Sequence, residues 1–475
     1  MKKPWLIFVY TRDNRSSLRP LIAATDLSGF SSNTLILSSI ERDPAKLIDV
    51  VNELEQRGVE RILILTSMMT TQLADPDSST WKVIRTIRKI KTKVEGSKVI
   101  TIAGGPHPSG DPFGTLINLG FDFVVIGEGE KALPFLVEKV AEDGLGEKEE
   151  IVKLASKEGL GIATRSETGD LIFSKRSFAT LKSLDESIPF PIWRNMLGHI
   201  EIARGCPWAC KFCQVSFMHG CLTRYRSIEN VKHWILRVIR YRWRKGLHAD
   251  IRFVTPDAFS YSDPNGGSFE DLMHELRKIK EESPITTRIF VGSFPSEVRP
   301  DSVNCDVMRA LVGVASNERI TIGAQSGSDR VLDFINRGHC VDDIVNAVEI
   351  VLKSGFSVDI DFIFGLPGEK REDREDTMRL IQKLIRAYGS KVRVHAHTFL
   401  PLPGTPFSEY PAGRLEPDLK REFFKIAGSE SLYGKWAKQE VLGRRIEELR
   451  RSGMIMTFSY VRRLKRESKL DIKFY

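Results

Sequence analysis

No stretch of this 475-residue chain stays apolar for the roughly 18 residues that a bilayer-spanning helix needs. The amino terminus has no signal-peptide core either: Met1-Lys-Lys-Pro-Trp-Leu-Ile-Phe runs at once into a β-rich segment. Both absences lead us to expect a cytoplasmic protein. Cysteine is scarce, six in all with none before Cys206, and Cys221, Cys305 and Cys340 are scattered. That pattern excludes a disulfide framework and suits a reduced compartment. With 41% hydrophobic residues the chain can bury more than one core, so two or three domains are expected.

What the chain does have is a cluster. Cys206, Cys210 and Cys213 lie in Arg-Gly-Cys-Pro-Trp-Ala-Cys-Lys-Phe-Cys-Gln, residues 204–214, just after the alternating run 199–203. Three thiolates on one loop can hold three corners of a 4Fe-4S cube and leave the fourth iron open to a small molecule. A zinc knuckle is the competing reading. Zinc normally takes four ligands, however, and His219 and Cys221 follow at an awkward distance for a finger. The spacing, with Phe212 just before the third cysteine, resembles the radical SAM superfamily. That resemblance implies that S-adenosylmethionine binds the open iron through its amine and carboxylate, and that reductive cleavage yields a 5′-deoxyadenosyl radical. It makes Cys206, Cys210 and Cys213 metal ligands and catalytic centre together. It also places Phe212 near the adenine, with ordinary packing as the alternative.

Ahead of the cluster, short apolar runs at 6–9, 34–37, 61–65, 98–102 and 121–125 alternate with helical stretches. Such runs predict a parallel sheet covered on both faces, and five units predict a flavodoxin-like, doubly wound α/β domain. Ligands of that fold lie outside the carboxyl ends of the strands. Two loops fall there: Gly104-Gly105-Pro106-His107 and Gly127-Glu128-Gly129-Glu130. They resemble the cobalamin-binding domain that precedes many radical SAM domains. The candidate cofactor contacts are thus Gly104, Gly105, His107, Gly127 and Glu128, with a packing role as the alternative for His107. Asp-x-His-x-x-Gly, whose histidine would ligate cobalt from below, is missing. Cobalamin is therefore expected to bind without a protein ligand to cobalt, or the domain is a relic.

Beyond the cluster, strands are predicted at 250–254, 288–291, 319–323, 358–363 and 392–397. Counting the strand before Cys206, these make six βα units, which suits a partial barrel with its site at the carboxyl strand ends. Radical SAM enzymes resemble such an open barrel, and the resemblance assigns the strand ends to S-adenosylmethionine. Asp257 follows the second strand, where the family's usual Gly-Gly-Glu is absent; it is a candidate for the amine or the substrate, or else an N-cap. Ser293 is a candidate donor to the carboxylate. Gly-Ala-Gln-Ser-Gly-Ser-Asp-Arg-Val-Leu at 323–332 resembles segments of radical SAM proteins with cobalamin-binding or methylthiotransferase modules. It assigns Gln325 to the ribose or amine and Arg337 to the carboxylate, with a helix-end cation as the alternative for Arg337. Gly365, in Gly-Leu-Pro-Gly-Glu, lets backbone approach a flat base. His397 opens a segment that resembles the one framing adenine. His395 and His397 share a strand face, which hints at a metal ion.

The expected layout is a cobalamin-binding-like domain over 1–144, a hairpin and extended linker over 145–198, a radical SAM barrel over 199–410 and a basic helical extension over 411–475. The extension carries about +7 of the net +9 and repeats arginine pairs. It reads as a solvated helix over the barrel, or as a surface for RNA or an anionic head group. The combined reading is a radical SAM enzyme holding a 4Fe-4S cluster, S-adenosylmethionine and cobalamin, fed by an external one-electron reductant. Its expected reaction is methylation of an unactivated carbon on a substrate of unspecified class. The alternatives are radical C–C bond or ring formation, RNA modification, or a non-catalytic Fe-S protein that binds RNA or senses redox state. Methylthiolation normally needs a further three-cysteine cluster ahead of the barrel, and residues 1–205 contain no cysteine.

Overall fold

The computed structural model describes residues 3–93, 98–143, 148–427, 431–467 and 470–475. Near one edge of the first sheet, β1 (Trp5–Val9) has β2 (Thr34–Leu37) on one side and β3 (Ile62–Ser67) on the other, both parallel. β4 (Val99–Gly104) and β5 (Phe123–Val125) continue the sheet beyond β3. The order β2-β1-β3-β4-β5 is the doubly wound arrangement expected. The strand period of two divides the apolar runs between two cores: Leu6, Phe8, Leu63 and Leu65 face one, and Ile7, Val9, Ile62 and Ile64 the other.

The hairpin expected to stand apart as a connector belongs to this sheet instead. β6 (Ile162–Arg165) pairs antiparallel with β5, and β7 (Leu171–Phe173) pairs antiparallel with β6. The physical reason is the open edge of β5, whose unpaired N–H and C=O groups the hairpin satisfies.

The chain then crosses into the second domain through β8 (Ile200–Glu201), β9 (Ala203–Arg204) and β10 (Arg224–Tyr225). The barrel continues with β11 (Ala249–Val254), β12 (Thr287–Phe290), β13 (Arg319–Gln325), β14 (Ser357–Phe364) and β15 (Val392–Thr398). Its six barrel strands form two parallel arcs, β8-β11-β12 and β13-β14-β15. Isolated parallel bridges Ile289–Ala315 and Val298–Ile322 link the arcs. Along β15, Val392, Val394 and Ala396 join the core beneath the helices, leaving Arg393, His395 and His397 on the inner face.

The carboxyl-terminal extension is more than a helical cover. β16 (Leu432–Tyr433) adds to β15, and β17 (Ile472–Phe474) returns to pair with β7 of the first sheet, which thereby reaches eight strands. Several of its cations have structural partners: Arg445 meets Glu448, Arg451 meets Glu447, and Arg450 donates to the Ser408 and Tyr410 carbonyls. Among the described residues no helix is long and apolar enough to cross a membrane.

Candidate active site between the two domains

The cysteine loop is tied at its neck by the antiparallel pairing of β9 with β10, Arg204 opposite Arg224. Gly205 sits at that neck with φ +89°, and a Cβ there would lie 2.3 Å from the Leu222 carbonyl oxygen. Only glycine fits both demands. The far side of the loop is stitched to the segment after β13. Asn336 donates to the Trp208 carbonyl (2.5 Å), and Lys211 donates through its backbone N–H to Ile335 (3.0 Å) and through Nζ to Phe334 (2.6 Å).

Within this frame Cys210 is buried and Cys206 and Cys213 are half-buried, whereas Cys221, Cys305 and Cys340 are exposed. Burial raises the Cys206 thiol and pushes Cys213 up to about 11. Free, both stay protonated at neutral pH; a bound cationic centre is what draws the protons off. Among the described residues, the trio with ligand atoms all within 4.8 Å is Asp361, His395 and His397, not the cysteines. Three thiols held on one loop suit three corners of a 4Fe-4S cube.

Two arginines stand beside the cysteines. Arg337 points one guanidinium nitrogen at Cys210 Sγ (3.7 Å) and donates another to the Gly323 carbonyl (2.6 Å). Gln325, held at φ +72°, shares that corner: a Cβ on Gly323 would lie 2.8 Å from the Gln325 amide and 2.9 Å from Arg337. Arg299, which no sequence motif marks, is 3% exposed, stacks on Trp208 (4.0 Å) and donates to the Arg337 carbonyl (2.6 Å). Among the described residues its Nη1 has no partner, and neither does the buried Ser293 Oγ. An unsatisfied buried guanidinium nitrogen beside the cysteine loop suits a ligand with a carboxylate, as S-adenosylmethionine has.

The remaining candidates are placed differently. Phe212 packs against the barrel core. The Asp257 carboxylate is engaged by the protein itself, accepting from Ser260 in its own loop and, from the segment after β12, from Ser302 (3.0 Å) and the Arg299 backbone (3.3 Å). Gly365, expected to admit a flat base, admits backbone instead: at φ +74°, a Cβ would lie 2.6 Å from Gly413 Cα. The chain returning after β15 crosses it there.

His395 and His397 do meet a third metal-ligand type, Asp361, at 2.9 Å from His395 Nδ1. Their hydrogen bonds nevertheless set the proton positions. Gln439 accepts the Thr398 N–H (2.9 Å), so its amide nitrogen donates to His397 Nδ1 (3.1 Å). Burial lowers the pKa of His397, whose Nε2 lies 3.1 Å from His395 Nδ1, the nitrogen that also meets Asp361. Asp361, His395, His397 and Gln439 thus form one hydrogen-bonded chain on the inner barrel face.

Between the domains lies a cavity of about 430 Å³, within the usual range for small-molecule sites. Gly104, Gly105 and Gly127 line it from the carboxyl ends of β4 and β5, and Gln214, Val215 and Met218 line it from the helical turn after Cys213. His107 does not. It is 1% exposed, bonded to Thr70 (3.2 Å), and burial pushes its pKa down to about 3. No histidine stands among the cavity's described first-domain residues. His199 and His219 line the cavity from the other side, so the first-domain wall offers cobalamin glycine-rich surface and no histidine among its described residues.

Glu128 lines the same cavity, but its carboxylate holds the domains together. It takes both Arg224 nitrogens (2.6 and 3.1 Å) and the Thr180 hydroxyl (2.8 Å), while neighbouring Glu130 takes Arg204 (2.5 Å). Burial alone would raise Glu128; His219, the Arg224 hydrogen bonds and the Arg204 charge outweigh it and hold the carboxyl well below the usual range. Glu128→Gln should therefore cost about 3–5 kcal/mol by leaving Arg224 buried and unbalanced. Thermal unfolding measures this, and an unchanged melting temperature would refute the clamp.

The family model described as the Radical SAM superfamily matches residues 200–381, and that described as B12 binding domain matches residues 27–137. The chain pairs a B12-binding domain with a radical SAM domain. As expected for such a pairing, the cofactors of this radical SAM protein are a 4Fe-4S cluster, S-adenosylmethionine and cobalamin. The solved fold of TsrM from Kitasatospora setae, described as a radical S-adenosylmethionine methyltransferase with cobalamin and a [4Fe-4S] cluster bound, is similar over 85% of this chain and 77% of that one. Its TM-score is 0.62 at 15% identity. Cobalamin-bound OxsB, described as a cobalamin-dependent S-adenosylmethionine radical enzyme, is similar over 90% and 62%, with a TM-score of 0.60 at 15% identity. At these identities the likeness is one of fold. Among curated proteins, the tRNA-2-methylthio-N(6)-dimethylallyladenosine synthase of Chlorobium phaeovibrioides is 30% identical over 39% of each chain. The threonylcarbamoyladenosine tRNA methylthiotransferase MtaB of Thermotoga maritima is 27% identical over 45% of this chain and 46% of its own. The chain thus spans less than half the length of these two relatives.

Proposed function

We propose that this radical SAM protein is a cobalamin-dependent methyltransferase acting on an unactivated carbon. The observation that carries this is Gln214, one residue past the last cysteine. Its amide donates both to the Pro106 carbonyl of the Gly-Gly-Pro-His loop (3.2 Å) and to the Pro403 carbonyl after β15 (2.8 Å). One side chain therefore spans the loop at the B12 wall, the cysteine loop and the end of the barrel. When bound, the cluster with S-adenosylmethionine supplies a carbon radical, and cobalamin supplies a methyl group.

The chain's own residues provide the enclosure that such chemistry needs. Cys206, Cys210 and Cys213 hold the cluster at the barrel mouth, with Arg337 and Arg299 placing positive charge beside it. Val215 and Met218 close the cavity wall with apolar surface, which keeps water from a reactive centre. Glu128, Arg204 and Arg224 fix the distance between the domains.

Incubation of the reconstituted protein with S-adenosylmethionine, hydroxocobalamin, a reductant and cell extract from which the gene is deleted tests the proposal. The expected result is formation of both 5′-deoxyadenosine and S-adenosylhomocysteine, with label from S-[methyl-³H]adenosylmethionine in a product carbon. Deoxyadenosine without S-adenosylhomocysteine would replace methyl transfer by a radical rearrangement or ring closure. Label in a methylthio group would turn the reading toward the reaction named for the curated relatives.

A further inference from the structure

The helix Ile228–Trp243 buries Val231, Trp234, Ile235, Val238 and Ile239 against the barrel core. A surface helix normally presents polar residues on its other side. Here the outer stripe carries Leu236 (45% exposed) and Trp243 (57% exposed), and Leu247 (43% exposed) lies just past the helix end. Between and beside them stand Arg237, Arg240, Arg244 and Lys245, all exposed. No Asp or Glu occurs from Asn230 to Ala249. Among the described residues, no acidic side chain pairs with any of these four cations. Asp250, the next acid along the chain, is held by Arg288 (2.6 Å).

The geometry points to this face as a docking surface for an anionic phospholipid bilayer. Tryptophan and leucine side chains can enter the head-group boundary, while arginines, with long apolar stems and charged tips, reach lipid phosphates around them. Nucleic acid fits less well: it could stack on Trp243 but gains nothing from two exposed leucines, which a bilayer buries.

Position supports the same occupant. The helix starts immediately after β10, at the neck of the cysteine loop, and runs 16 residues before the chain turns into the amino end of β11. At 1.5 Å per residue its far end is about 24 Å from the cysteine-loop end. A membrane on the Trp243 end thus leaves the barrel mouth and the interdomain cavity open. A substrate-reading surface would be expected at the mouth instead.

Flotation of the anaerobically reconstituted full chain with vesicles tests the inference. The vesicles are equal parts phosphatidylcholine and phosphatidylglycerol, or phosphatidylcholine alone. The expected result is binding to the anionic vesicles only, weakened by salt. Arg237→Gln/Arg240→Gln/Arg244→Gln, and separately Leu236→Ser/Trp243→Ser, should each lower partitioning roughly tenfold or more. Cluster absorbance and 5′-deoxyadenosine formation should be retained in both, since the helix end lies outside the site. Trp243→Ser alone serves as the milder variant if either multiple variant melts early. Equal binding to both vesicles, or anionic binding that the substitutions leave intact, would overturn the inference. So would a soluble protein whose salt-sensitive tRNA binding disappears in the arginine variant, or whose self-association disappears in the Trp243 variant.

Discussion

Replacing Cys206, Cys210 and Cys213 together by alanine should abolish the brown chromophore of the reconstituted protein and reduce 5′-deoxyadenosine formation to background. The three thiols share one loop, closed at its neck by β9 and β10 and fastened behind by Asn336 and Lys211. The exposed Cys221, Cys305 and Cys340 belong to no such arrangement. Single alanine replacements of those three should leave iron content and S-adenosylmethionine cleavage unchanged. Iron and sulfide analysis with anaerobic absorbance spectra reads the first effect, and chromatography of the nucleoside reads the second. A triple variant that keeps either the chromophore or the cleavage would remove the basis for radical chemistry here.

Hydroxocobalamin should bind to the first domain with no histidine nitrogen on cobalt. The cavity wall at the ends of β4 and β5 is glycine and apolar surface from Ile102, Pro106 and Val125, and His107 is packed away from it against Thr70. Electron paramagnetic resonance of the Co(II) form should show no nitrogen hyperfine splitting from a protein ligand, and His107→Ala should leave that spectrum unchanged. A spectrum with splitting that disappears in His107→Ala would refute this ligation while keeping the cofactor. No binding at near-millimolar cobalamin would make the domain a relic and take methyl transfer with it.

The legible part of the site was its local part. Cys206, Cys210 and Cys213 come together because three residues and then two separate them, and a loop brings such neighbours together in almost any fold. Gly104, Gly105 and Gly127 reach the cavity because each ends an apolar run, and the ends of parallel strands are where such folds bind ligands. Glu128 was singled out with them for the same reason, but its carboxylate works mainly as the partner of Arg224. Arg299 had no signal: a lone arginine in a polar loop looks like any solvated cation until Trp208 and Arg337 are placed around it. Gly365 carried the right conformational requirement and the wrong neighbour, since φ +74° calls for glycine whatever crosses above it.

The sequence by itself determined the alternation of strands and helices, the division into a doubly wound sheet and a partial barrel, and the cysteine loop, because each is written in periodicity or in spacing of a few residues. Tertiary structure alone decided what joins them. Glu128 meets Arg224 across 96 residues, Gln214 meets Pro403 across 189, and β17 returns across the whole barrel to pair with β7. None of these contacts leaves a local pattern. A buried charge finds its partner, and an open strand edge its neighbour, only when the packed domains bring them within hydrogen-bonding distance. The cavity between the domains, and any chemistry it encloses, rests on those distant pairings.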